Sequence, residues 1–307
     1  MNTYILRRLL VSIPIVLGVA TATFVMLYLL PGDPVQAMLA QSGASAETIT
    51  NLRRQLGLDD PPHVRYVRFL WQLVQGDLGR SITTQQPVVE LIRSQLPATL
   101  QLAVAALLVA SISGVGLGVL AAVFRGTWID RLSMLVAIVG VSMPQFWVGV
   151  LFIMVFSFQL RLLPATGTEG VERLIMPATV LGLGSSATLA RLVRASMLDV
   201  LAEDFIRTAW AKGLPGSIVL TRHALRNGLV PVLAYMGVQF GWLLAGTVVT
   251  ETVFSRQGIG RLMVSAIEAK DFPVVQGVVL FIALMCVLLN LLVDLSYAVA
   301  DPRLRHA

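Results

Sequence analysis

"RTAWAKGLPGSIVLTRHALRNG", residues 207–228, is a helix-forming stretch that carries Arg207, Lys212, Arg222, His223 and Arg226 and is interrupted by Gly213, Pro215 and Gly216. The runs on either side, Leu174–Ala190 and Asn227–Thr250, hold no charged residue. Four more charge-free blocks lie further out: Leu9–Leu30, Ala98–Phe124, Leu132–Leu160 and Phe272–Val293. A bilayer crossing needs about 20 apolar residues, and a charge at a helix centre costs roughly 2.5–3.5 kcal/mol on insertion scales. Soluble core helices could imitate one or two such blocks, but not six. Only 13% of residues are charged and 56% are hydrophobic, against about 25% charged in soluble domains. The sequence therefore predicts an all-α polytopic membrane protein with six transmembrane helices.

Charge placement orients these helices. With the N-terminus inside, the cytoplasmic pieces hold Arg7, Arg8, Arg125, Arg131, the six basic residues from Arg191 to Arg226, and Arg303 and Arg305. The short external loops hold Arg161, Arg173, Arg256, Arg261 and Lys270. Lys and Arg thus favour the inside, as the positive-inside rule requires. In the long loop from Pro31 to Pro97, six arginines are balanced by six acids. The formal charge of +6 then falls on the cytoplasmic side, where anionic lipid or an acidic partner would meet it. Nucleic acid is not an expected partner, because the basic residues lie in short interhelical connections. The expected division is residues 1–30 for the cytoplasmic N-terminus and first span, 31–97 for an external loop, 98–300 for a five-helix core with a hairpin at about 198–228, and 301–307 for a cytoplasmic tail. The apolar stretch after Arg7 and Arg8 exceeds the 7–15 residues usual for a secretory signal, so it reads as a retained span.

Small residues mark packing seams. Gly114 and Gly118 are four apart, as are Gly237, Gly241 and Ala245, and "GLGSS" at 182–186 adds another patch. Such spacing lets helix backbones approach closely, either within the chain or at a subunit seam. Pro144 should kink the third span. Gln145, Gln239 and Trp242 are candidates for lining a solute path; for either glutamine the alternative is an interhelical hydrogen bond. Asp294, near the cytoplasmic end of the last span, is expected to find an Arg partner. No chain of intramembrane carboxylates of the sort that proton-driven carriers use is present.

Catalytic residues are not expected. The three histidines, His63, His223 and His306, lie outside the apolar blocks and show no metal-ligand spacing. Lys212 and Lys270 are the only lysines and neither sits in a phosphate-binding Gly-Lys-Ser/Thr loop. Cys286 is alone, so no disulfide or cysteine metal cluster can form.

The opening segment itself reads as a hairpin. Leu201, Phe205 and Ala209 recur at helical spacing from Leu198, acids Glu203 and Asp204 begin the helix, and Lys212 ends it, as the helix dipole favours. Gly213 suits a C-cap and Pro215 prevents continuation; a second short helix is expected from about Ser217 to Asn227. Such a helix could lie in the lipid headgroups or dock on a partner.

This segment resembles the coupling loop of ABC-importer permeases, whose signature is Glu-Ala-Ala, three residues, Gly, nine residues, then Ile-x-Leu-Pro. Arg207, Thr208 and Ala209 occupy the first triplet, and Ala209, Gly213 and Leu225 match literally. "RTAWAKGL" (207–214) and "RHALRN" (222–227) are closer to the dipeptide/oligopeptide subfamily, "RTARAKGL…HALRN", with Trp210 the odd residue. Similar motifs run along nearly the whole chain: "YILRRLLVSIPIVLGVATATFVMLYLLPGDP" (4–34), "RQLGLD" (54–59), "GDLGRS" (76–81), "LPATLQLA" (96–103), "VSMPQFWVG" (141–149), "LPATG" (163–167), "ETVFSRQGIGRLMVSAIEAKDFPVVQG" (251–277) and "DLSYAVADPRLR" (294–305).

The resemblance implies the first permease of a pair, with a type I importer fold, in the bacterial inner membrane with both termini cytoplasmic. It implies a second homologous permease, two ABC ATPase subunits and an external substrate-binding protein as partners. This chain would bind no cofactor, ATP and Mg being held by the ATPases. The coupling surface would comprise Asp204, Phe205, Arg207, Thr208, Ala209, Trp210, Ala211, Lys212, Gly213, Leu214, Arg222 and His223. Phe205, Ala209 and Trp210 would enter an apolar cleft, while Arg207 and Lys212 would meet acids on its rim. Di- or oligopeptides are the expected solutes, with nickel chelates or glutathione as the alternative. A channel or an ion-driven carrier is the rival class: the first would conduct without nucleotide, the second would transport alone.

Overall fold

Helices form where the charge-free blocks fall, and the breaks between them have identifiable causes. The computed structural model describes the backbone of residues 2–29 and 59–300, and the side chains of 10–26 and 59–292 except Ala234. Arg7, Arg8 and Asp294, with the tail 301–307, lie outside the described side chains. The helices are α1 (Asn2–Leu29), α2 (Pro62–Val74), α3 (Val88–Val123), α4 (Trp128–Ser142), α5 (Gln145–Phe152), α6 (Glu172–Leu201), α7 (Asp204–Ala211), α8 (Val230–Val253), α9 (Ile259–Glu268) and α10 (Phe272–Ala300). No β-strand occurs among the described residues.

Of the six expected spans, α3, α8 and α10 are by themselves long and apolar enough to cross a membrane. A fourth is obtained if α4 and α5, the latter extended by a π-helical segment at Ile153–Gln159, are one broken span. The expected kink at Pro144 is a full break: the two arms meet at 100°. Met143 is extended at φ −86°, ψ 134°, because the proline ring excludes the helical region for the residue before it. The apolar block at Leu174–Ala190 lies within the 30-residue α6. Its glycines, serines and flanking arginines dilute its apolarity, which is tolerable because α6 packs against α3, α4 and α8 rather than mainly against lipid. The described part of α1, Leu10–Met26, is apolar and packs on α10.

The second block extends well beyond its expected start at Ala98. Pro87 precedes the first turn, Glu90 favours the helix N-terminus, and Val88 and Ile92 are buried against Ile259, Val274 and Val278. At about 1.5 Å per residue, the 36 residues of α3 reach about 54 Å, so its outer turns stand clear of the bilayer core.

The glycine spacing read from the sequence is an intramolecular seam. A Cβ on Gly114 would lie 2.6 Å from Leu189 Cβ; one on Gly118 would lie 2.6 Å from the Ala190 carbonyl oxygen; one on Gly182 would lie 2.6 Å from the Ala106 carbonyl oxygen. Helices α3 and α6 therefore touch backbone to backbone along both small-residue patches. Gly241 has nothing within 4 Å of such a Cβ, and Ala245 is exposed, so that part of the α8 pattern packs on nothing within the chain.

Near the C-terminal end of α8, the Glu251 carboxylate is fully buried and accepts hydrogen bonds from Thr99 Oγ1 (2.7 Å), Gly260 N (2.8 Å) and Arg261 N (3.1 Å). Thr99 Oγ1 in turn accepts from Ile259 N at 2.8 Å. One carboxylate at the end of α8 thus satisfies the free N–H groups that begin α9. Asp271 does the same for the loop before α3, accepting from Ser81 Oγ, Ile82 N and Thr83 N. These anchors hold the adjoining ends of α3, α8, α9 and α10 as one block.

Candidate coupling hairpin and transmembrane cavity

The hairpin grows directly from the central helix. Helix α6 ends at Leu201, Glu203 is extended (φ −68°, ψ 148°), and α7 starts at Asp204. The expected helix from Leu198 is thus interrupted at residues 202–203, which turns the inward stripe. Ile206 and Ala209 are 1% and 5% exposed, packed with Leu189, Val193 and Met197 of α6 and with Val219, Ala224 and Val232. Phe205 and Trp210, at 42% and 51%, face outward. Of the apolar trio expected to meet a partner, Ala209 belongs instead to the chain's own core, and Phe205 and Trp210 alone remain at the surface.

Other candidate residues follow the same division. Asp204, Arg207, Thr208, Ala211, Lys212, Gly213 and Arg222 are exposed, while Leu214 and His223 are half-buried. Arg207 Nη1 lies 3.3 Å from Asp204 Oδ1, an exposed pair of the sort that contributes little stability. Thr208 Oγ1 donates to the Asp204 carbonyl at 2.9 Å.

Gly213 closes the helix as expected. Its φ is +72°, its N–H donates to the Trp210 carbonyl at 2.9 Å, and Leu214 N donates to Ala209 O at 3.4 Å. The left-handed conformation is the one that glycine adopts without steric cost. The Trp210 ring lies against Gly216, where a Cβ would be 3.1 Å from its edge. The return arm is one helical turn at Gly216–Ile218, a π-helical segment at Val219–Leu225 and a last turn at Arg226–Gly228. Ser196 Oγ donates to the Gly228 carbonyl at 2.8 Å, and a Cβ at Gly228 would lie 2.9 Å from Met197 Sδ. Both arms are therefore fixed to the end of α6.

A second tie was not apparent from the sequence. Arg194 of α6 donates to both oxygens of Asp130 on α4, Nε to Oδ1 at 2.7 Å and Nη2 to Oδ2 at 2.8 Å, and Gly126 N adds a bond of 3.0 Å to Oδ2. Two turns of helix separate Arg194 from the start of the hairpin. Only the early position of Asp130 in a helix signalled it, and that position explains a favourable dipole rather than a partner.

Between the bent α4–α5 pair and helices α6 and α8 lies a cavity of about 520 Å³. Gln145, Gln239 and Trp242 all line it, together with Gly140, Gly184, Ser185 and apolar side chains. Both glutamines also make interhelical hydrogen bonds: Gln145 Nε2 donates to Thr250 Oγ1 at 3.0 Å and Gln239 Nε2 to Ser185 Oγ at 2.7 Å. No acidic or basic side chain lines the cavity, whose volume falls within the ~300–1,000 Å³ common for small-molecule sites.

A helical bundle with a broken span, a neutral cavity beside it and an anchored hairpin projecting from its central helix is the fold of an ABC-importer permease. The inward-facing MetNI methionine ABC transporter superposes with a TM-score of 0.59 at 17% identity, over 69% of this chain and 97% of that one. An amino acid ABC transporter crystallised with histidines gives 0.52 at 14% identity, over 67% and 92%. The chain belongs to the binding-protein-dependent transport system inner membrane component family: residues 114–306 match that domain and residues 1–103 match the family's N-terminal component. Its relatives include the glutathione transport system permease protein GsiC of Salmonella typhimurium strain LT2 and that of Escherichia coli strain K12. Each is 42% identical over 306 residues, covering 100% of both chains. It is a transmembrane permease subunit of an ABC importer.

Proposed function

We propose that this permease carries di- and oligopeptides into the cell as half of a path completed by a second, similar permease. Two ATPase subunits, which bind ATP and Mg, drive it from the cytoplasmic side, and an external binding protein delivers solute. The observation that carries this reading is the division of α7: Ile206 and Ala209 join it to α6, while Phe205, Arg207, Trp210 and Lys212 face away from the chain. A helix held on one face and bare on the other is suited to pass a partner's displacement to the spans as a rigid lever. The bare strip of α8 around Gly241, Trp242 and Ala245 supports a second permease beside the cavity. The charge distribution supports a cytoplasmic placement of both termini.

Similarity to GsiC makes glutathione, itself a tripeptide, the specific solute to test first. The neutral cavity lining is consistent with passage of short peptides of either charge, the choice among them being made by the binding protein. The test is to purify the tagged permease with its co-expressed partners and measure ATPase activity with glutathione and a set of di- to pentapeptides. The expected result is copurification of a second permease and ATPase subunits, with hydrolysis stimulated only when binding protein and a peptide are both present. Uptake by the permease alone, driven by an ion gradient or occurring without nucleotide, would overturn it.

A further inference from the structure

Helix α2 belongs to the long external segment and plays no part in the hairpin or cavity. One of its faces packs on α1: Tyr66 and Phe69 have ring centroids 5.2 and 5.8 Å from that of Phe24, and the Tyr66 hydroxyl is 2.7 Å from Thr21 Oγ1. A second face, Val64, Val67, Trp71 and Val74 at helical spacing, touches little of the chain; Val67, Trp71 and Val74 are 65%, 64% and 81% exposed. Arg65, Arg68 and Gln72 form the third, with Arg68 paired to Asp60 at 2.7 Å.

The contact with α1 sets the depth. Phe24 lies five residues before the end of α1 at Leu29, and the apolar run continues to Leu30 before Pro31, Gly32 and Asp33. Five residues at about 1.5 Å each place the aromatic contact roughly 7.5 Å inside the end of the span. Amphipathic helices lying in a membrane interface bury their apolar faces to ~5–10 Å. The polar arc borders the exposed apolar arc, Arg68 lying one turn from both Val64 and Trp71, and the aromatic and arginine content suits the headgroup boundary.

We propose that α2 is a membrane-interface helix, with Val64, Val67, Trp71 and Val74 seated in the acyl–headgroup boundary of the outer leaflet. Its occupant is phospholipid rather than the second permease or the binding protein. The helix would fix the middle of the external segment against the bilayer, so that the loop from Gly76 to Pro87, itself held by Asp271, stands at a set height over the path. This inference does not depend on which solute is carried.

The test is spin labelling in a Cys286→Ala background, with Val67→Cys, Val74→Cys and Arg68→Cys examined one at a time. The transporter is assembled with cysteine-free partners in vesicles of phosphatidylethanolamine and phosphatidylglycerol. Labels at positions 67 and 74 should be several-fold more accessible to oxygen than to a water-soluble nickel chelate, with the ratio reversed at position 68. The proposal is overturned if positions 67 and 74 are open to the nickel chelate, which places them in water. It is equally overturned if their labels are immobile and shielded from both probes, which places a protein there.

Discussion

At the scale of single residues, the hairpin depends on one backbone conformation and one buried side chain. Gly213 sits at φ +72° with open space around it. Replacing it with alanine should therefore cost only about 1 kcal/mol of backbone strain and leave most uptake intact. Proline cannot adopt that φ and also removes the N–H bonded to Trp210 O. Gly213→Pro should abolish coupled uptake while the chain still inserts, as measured by transport and membrane fractionation. If both variants transport normally, the turn is not needed for coupling. Ile206, fully buried under α6, should cost roughly 2–4 kcal/mol on truncation to alanine. The expected sign of Ile206→Ala is protease cleavage near residue 203 in membranes, with reduced uptake. The glycine and the proline after it were legible in the sequence because each has a steric meaning. The side of α7 that faces inward was not. The break at Ala202–Glu203 resets the helical phase, and no local residue type announces it.

Among helices, α3 and α6 form the tightest contact, and its cause was readable as glycine spacing four residues apart. The atoms facing Gly118 include the Ala190 carbonyl oxygen, a backbone atom that cannot rotate away, so Gly118→Leu should force the helices apart. The expected loss is about 1–3 kcal/mol or more, seen as a lower melting temperature in detergent and less folded protein. Gly116→Leu, where a Cβ meets nothing within 4 Å, should be tolerated. Equal stability of the two variants would contradict this packing. The broken α4–α5 span was only half legible: Pro144 announced a disturbance, but its 100° extent depends on how α4 packs on α3 and α6 and how α5 packs on α6 and α8. Helix α6 shows the converse limit, since its apolar block marked a helix but not the continuation to Leu201. The Asp130–Arg194 pair was hidden because its partners are 64 residues apart, and nothing in one sequence links them.

Taken whole, the molecule has a block at one end fixed by Glu251 and Asp271, a central contact of α3 with α6, and at the opposite end a hairpin continuous with α6. Force applied to α7 has a direct route through Ile206, Ala209 and the Ser196–Gly228 bond to the helix that walls the cavity. Composition disclosed the membrane class, and the Gly213–Pro215 break disclosed the hairpin. The cavity was foreshadowed only by Gln145, Gln239 and Trp242, polar or amphipathic residues in apolar runs. Its shape could not be read, because it is made by the α4–α5 bend and by helices α6 and α8, which are far apart in sequence. The most direct measurement is the number of solute molecules imported per ATP hydrolysed by the complete reconstituted transporter bearing Arg207→Glu with Lys212→Glu. Both residues are exposed, so insertion and folding should be unchanged. The account expects import to fall to background while hydrolysis no longer responds to solute; a wild-type ratio of import to hydrolysis would contradict it.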